Sequence, residues 1–166
     1  MLVAVIGWAG ILTWSDFRTR RLPNWLTVGG VAAALVVRLA FGGMHSCVDG
    51  FAAAAVAGAV LLLPFLMNGA GGGDVKMLAA AGAVAGWGKL FMLLWVTSLA
   101  GVVTGVVMLL IGRLDGARVK HALRSLFDWR YDRAAGAAAL PPKEAVSGRV
   151  PFSLPIAIGL VTALIW

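Results

Sequence analysis

VDGFAAAAVAGAVLLLPFLMNGAGGGDVK, residues 48–76, sets a long apolar run against a glycine-rich turn that ends in an aspartate and a lysine. From 50 to 67 no side chain carries a charge. A helix rises ~1.5 Å per residue and a bilayer's hydrocarbon core is ~30 Å thick, so such a run is long enough to cross. Five further apolar segments lie on either side of it, at about 2–14, 25–41, 75–86, 90–112 and 152–166. The segments at 2–14 and 75–86 are short for a crossing. The first can extend through Asp16 toward Arg18. The second can borrow from the glycine turn before it and from Trp87 to Lys89 after it. Both extensions place an aspartate at the membrane boundary.

Composition agrees. Of 166 residues 61% are hydrophobic and 13% charged, with a mean hydropathy of +0.93. Soluble domains carry about a quarter charged residues. These values exclude a disordered chain, a disulfide scaffold and almost any soluble enzyme. The expectation is an all-α polytopic membrane protein, a six-transmembrane-helix bundle forming one domain over 1–166. The lone Cys47 allows no intrachain disulfide and no paired-cysteine zinc motif. The N-terminus is apolar at once, without a basic leader or a small-residue cleavage site, and reads as a span rather than a signal peptide.

The net charge of +7 sits in short loops, a pattern that favours a membrane over a nucleic-acid partner. One set of loops carries Arg18, Arg20, Arg21, Lys76, Arg113, Arg118, Lys120, Arg124, Arg130, Arg133, Lys143 and Arg149; the other carries Arg38 and Lys89 alone. The positive-inside rule makes the first side cytoplasmic and puts both termini outside. Arg38 is expected to snorkel to the outer headgroups. By parity, Asp16 ends the first span and Asp74 starts the fourth on the same, cytoplasmic, side. Two carboxylates far apart in sequence then share one depth.

Small residues four apart, Gly82/Gly86, Gly101/Gly105 and Ala54/Gly58, predict helix interfaces. The loop 113–150 is the longest. Within it Val119, Ala122, Leu123, Leu126 and Phe127 recur at helical spacing and predict an amphipathic helix on the cytoplasmic surface, followed by a linker from 134 to 148.

Ionisable groups inside membrane segments are costly, which makes Asp16 and Asp74 the candidates for chemistry. Each also has an ordinary explanation: an ion pair of Asp16 with Arg20 one turn on, and Asp74 as a helix N-cap. Gly71, Gly72 and Gly73 admit backbone angles closed to other residues and leave room for another chain beside the carboxylate. The run has no GK[ST] and no preceding strand, so a phosphate loop is set aside. Two close carboxylates share a proton. The ionised one can take a proton from water while the other donates to a peptide carbonyl, which is aspartic-protease chemistry. A proton-coupled transporter uses the same ingredients.

The segment Gly71-Gly72-Gly73-Asp74-Val75-Lys76, a GxGD followed by Val-Lys, resembles the signature of the type IV prepilin peptidases. Asp16-x-Arg18-x-Arg20-x-Leu22-Pro23-Asn24 is similar to that family's first aspartate motif, and Pro151-Phe152-x-x-Pro155-x-x-x-Gly159 to its final helix. The resemblance implies an intramembrane aspartyl endopeptidase of the bacterial cytoplasmic membrane. Asp16 and Asp74 would be its catalytic pair, and prepilins or pseudopilins its substrates, cut just before their hydrophobic segment. It implies no cofactor and no metal; beyond the substrate and membrane lipids it names no partner. Larger members add a methyltransferase region with zinc-binding cysteines, absent here. The chain thus resembles the short peptidase-only forms that serve tight-adherence (Flp) pili, and N-methylation is not expected. Lys76, two residues on from Asp74, falls on the far side of its helix and is not expected to be catalytic. His45 is expected to be solvated in an outer loop with Cys47, Asp49 to cap the third span, and Asn24 to cap or orient the second. Two rival functions remain: a small proton-coupled transporter, and a non-catalytic subunit of a pilus or secretion assembly.

Overall fold

The computed structural model describes residues 2–19, 23–66, 71–111 and 152–166. The described residues are helical apart from short turns. The elements are α1 (Leu2–Thr19), α2 (Asn24–Leu66), α3 (Gly72–Ala85), α4 (Trp87–Leu110) and α5 (Ser153–Ile165). The expected surface helix at 119–127, the linker after it, and Arg20 and Asn68 lie outside the described residues.

α1 continues to Thr19, so Asp16 is intrahelical, as the extension of the short first segment required. α2 is two helical arms, 24–42 and 44–66, broken at Gly43 with φ 69° and ψ −170°. The outer loop expected to hold His45 and Cys47 is therefore a one-residue turn, and both residues are helical. Glycine pays little for positive φ, so the chain reverses there without a longer loop. The reversal is visible in the contacts. The Arg38 side chain lies 2.5 Å from where a Cβ on Gly50 would stand, although twelve residues of straight helix would span ~18 Å.

The second arm runs antiparallel to α3. Gly82 faces the Ala53 carbonyl and Ala57, Gly58 faces Ala79, and Gly72 faces the Phe65 ring. A Cβ on Gly82 would fall 2.7 Å from the Ala53 oxygen, so this is backbone-to-backbone approach. The paired-small-residue expectation holds for Gly82, Gly58 and Gly101, which meets Phe152 at 3.2 Å. It fails for Gly105, which has nothing within 4 Å, and for Gly86, which is a turn residue at φ 76°. Gly86 ends α3 and lets α4 begin at Trp87. Trp87 to Lys89 therefore belong to α4 and were not borrowed by the fourth segment.

α5 lies antiparallel on α4. Lys89 Nζ donates to the Leu164 carbonyl at 3.4 Å, Gly159 sits against Leu93 and Thr97, and Phe152 meets Gly101. At Gly159 the approach is closest. A Cβ there would overlap the Thr97 hydroxyl and come within 3.0 Å of the Leu93 carbonyl. Gly159→Leu should therefore pry α5 from α4 and cost roughly 1–3 kcal/mol or more. Unfolding in mixed micelles measures it, and a variant as stable as the parent would refute this packing.

The core is one buried cluster that includes Leu12 of α1, Ala53 and Ala57 of α2, Met77 and Leu78 of α3, Leu93 of α4, and Ile156 and Leu160 of α5. The exterior is equally apolar. Trp14, Phe41, Phe91, Trp95, Leu110 and Trp166 are 65–90% exposed, an arrangement that water would not favour. By length and composition, the helical stretches Asn24–Leu62 and Trp87–Met108 are long and apolar enough to cross a membrane.

Arg38 does not reach outward as snorkelling required. Its Nε donates to the Ala83 carbonyl at 2.7 Å and its Nη2 to Val84 at 3.2 Å, the carbonyls that end α3. Its Nη1 reaches Asp49 Oδ2 at 3.2 Å. Open carbonyls at a helix end attract a cation, and here they bind one already on hand. Asp49 does not cap its own helix. Its Oδ2 accepts from the Trp87 N–H at 3.1 Å, capping α4.

Candidate active site

Asp16 lies in the last turn of α1 and Asp74 in the first turn of α3. Both helices are tied to α5. Ser153, first residue of α5, donates its hydroxyl to Asp16 Oδ2 at 2.5 Å. The other end of α5 meets Lys89, just past the turn that closes α3. α5 packs on both α1 and α3, so their aspartate-bearing ends lie at one end of the bundle. Depth agrees too. Leu12, Leu78 and Ile156 stand about one helical turn below Asp16, Asp74 and Ser153, and all three belong to the same buried cluster. The Arg38–Asp49 clasp is at the opposite end.

Asp74 is buried, with 8% of its surface exposed, and Asp16 is half-buried. Gly71, not Asp74, occupies the N-cap of α3, with φ −84° and ψ 146°. Asp74, three residues into the turn, reaches back so that its Oδ2 accepts the Gly71 N–H at 3.0 Å. This is the acidic half of a capping box, with no side chain to supply the other half. The local helix start thus accounts for one hydrogen bond of Asp74 and fixes its carboxyl beside the glycines.

Gly71, Gly72 and Gly73 are half-buried. The freedom they have to adopt angles closed to other residues is not used here. Gly71 is ordinary extended backbone, and the positive-φ glycines among the described residues are Gly43 and Gly86. Their contribution is space. A Cβ on Gly71 would stand 3.0 Å from Asp74 Oδ2, and one on Gly72 would stand 3.3 Å from the Phe65 ring. A side chain at Gly71 would crowd the carboxylate, and one at Gly72 the Phe65 ring.

Lys76 points away from Asp74, as its spacing required. It is exposed, and its Nζ donates to Asn24 Oδ1 at 2.8 Å. Asn24 therefore orients the first arm of α2 by tying it to α3. Its side chain does not cap its own helix; the first-turn N–H groups of Leu26 and Thr27 bond to the Pro23 carbonyl. Sequence reasoning passed over Ser153, an unassigned position inside the tail motif. Its one signal was a lone hydroxyl at the start of an apolar helix. His45 is exposed, Cys47 is a free half-buried thiol, and no group of His, Cys, Asp or Glu among the described residues is placed to hold a metal.

Fold and site together define an all-helical bundle, apolar inside and out, with two aspartates set at one end. The sequence profile of the type IV leader peptidase family matches residues 3–106, and the chain belongs to that family. The matched region carries both aspartates and stops short of α5. Over 108 residues the chain is 39% identical to the prepilin leader peptidase/N-methyltransferase of Escherichia coli (strain K12), a match covering 59% of this chain and 46% of that protein. The chain thus spans about half the length of the curated relative it matches. No solved structure matches the chain significantly.

Proposed function

We propose that this protein is a six-span aspartyl endopeptidase of the bacterial cytoplasmic membrane that removes the short basic leader from type IV prepilin-like proteins. What supports the reading is that α1 and α3, which bear Asp16 and Asp74, both pack on α5 with their aspartates toward its start, in a chain of the leader peptidase family. The two arms of α2 together with α1, α3, α4 and α5 supply six helical segments. Exposed Trp14 and Trp25 lie near the aspartate end and exposed Trp87 and Trp166 at the other, as two interfacial belts would. The cytoplasmic assignment of the aspartate end rests on the basic loops around it.

In this reading the substrate's apolar helix stays in the bilayer and its leader remains in the cytoplasm. The scissile bond is then at the depth of the two carboxyls. One carboxylate takes a proton from water as the oxygen attacks the peptide carbonyl, and the other, protonated, donates to the carbonyl oxygen. Collapse of the tetrahedral species returns a proton to the departing amine, with no covalent enzyme intermediate. The uncrowded backbone at Gly71–Gly73 gives an extended substrate room beside Asp74. A transporter site would sit near the midplane, and the placement of both acids at one end favours the peptidase.

The test is reconstitution of the purified protein in lipid vesicles with a prepilin of the tight-adherence type. Intact-mass measurement should show loss of the leader, with the new N-terminus at or just before the apolar segment. An uncut prepilin together with proton-driven solute uptake would overturn the proposal.

A further inference from the structure

Ser153 is fully buried and opens α5. A serine at a helix start ordinarily turns its oxygen onto its own first-turn N–H groups. Here the N-cap is Phe152, without a side-chain cap bond. The hydroxyl instead crosses to Asp16 Oδ2 at 2.5 Å, joining residues 137 apart in sequence. A buried hydroxyl needs a partner, and so does a carboxyl inside an apolar bundle. Asp16 sits at the carbonyl end of α1, where the helix dipole disfavours negative charge. The start of α5 faces it with the opposite end of a dipole and with a donor. α5 is itself held from the far side, by Gly159 against α4 and by Lys89 at its other end. The carboxyl of Asp16 is thereby referenced to a rigid element that also packs on α3, the helix bearing Asp74.

We infer that Ser153 is a positioning residue: its hydroxyl fixes the rotamer and depth of the Asp16 carboxyl, and with them the register of Asp16 against Asp74. This rests on the peptidase reading above, in which Asp16 is one of the acting pair. The bond moves no proton in the reaction and touches no substrate. It narrows the positions open to an acid in the last turn of α1, and a displacement of about an ångström at such a group can cost ~100-fold in rate.

The experiment compares the whole protein with Ser153→Ala and Ser153→Thr in vesicles, measuring prepilin cleavage and the infrared carboxylate band of Asp16, assigned by difference against Asp16→Asn. Ser153→Ala should lower kcat about tenfold or more per folded molecule, with KM unchanged. Ser153→Thr, which keeps the hydroxyl, should restore most of the rate. The Asp16 band should shift in the alanine variant and return in the threonine variant. An alanine variant that cleaves at the parental rate overturns the inference, and so do equal losses in both variants with an unmoved band. If the parent cleaves no prepilin, the peptidase reading falls, and the band alone then decides whether Ser153 holds Asp16.

Discussion

Asp16→Asn and Asp74→Asn should each lower prepilin cleavage by about a hundred- to ten-thousand-fold while leaving the helical bundle intact. General acid–base groups contribute typically 10²–10⁴-fold, and an amide can neither take the proton from water nor return one to the product amine. The fold has little reason to respond. An asparagine oxygen at 74 can still accept the Gly71 N–H, and one at 16 can still accept the Ser153 hydroxyl. Both substitutions are isosteric, so helical content and unfolding in micelles should match the parent. Asp49→Asn at the opposite end provides the control, with cleavage retained in the folded fraction. If either variant at 16 or 74 keeps full activity, that residue leaves the mechanism. If both do, the chemistry lies elsewhere.

The second large effect concerns stability. Arg38→Met should destabilise the protein by roughly 1–3 kcal/mol, less than breaking a fully buried ion pair, because Asp49 is about a third exposed. The loss is not of one contact. The guanidinium serves two carbonyls that end α3, the Ser46 carbonyl and hydroxyl, and the Asp49 carboxylate. Removing it leaves these part-buried acceptors only incompletely satisfied. Adding Asp49→Asn to Arg38→Met should recover part of the loss, since no unpaired charge then remains; a double-mutant cycle in micelles measures that coupling. Cleavage per folded molecule should change little, because the clasp and the aspartates are at opposite ends. A single variant of parental stability would contradict the clasp.

Much of the architecture was legible in the chain itself. Hydropathy is a local property, so the segments that became α1, the two arms of α2, α3, α4 and α5 could be marked within a few residues. The loops' basic bias assigned both aspartates to one side, and the contacts through α5 place them at one end. Asp74 and Lys76, two residues apart, fall on different faces of α3 as helical spacing demands.

The partners of these side chains were not legible. Each helix is apolar around most of its circumference, so no polar stripe tells which face turns inward. Rotation about the axis then depends on which small residues let two backbones meet. That is why Gly82 and Gly159 pack while Gly105 does not. It is also why Arg38 binds the end of α3, when its position near a segment boundary suggested the headgroups. Ser153 and Asp16 are joined across nearly the whole chain, and no local pattern encodes such a pair. Sequence determined the helices and their order, because those follow from residues close along the chain. Tertiary packing decided what holds Asp16, Arg38 and Lys76 in place, because that requires helices whose relative rotation is set only when all of them are assembled.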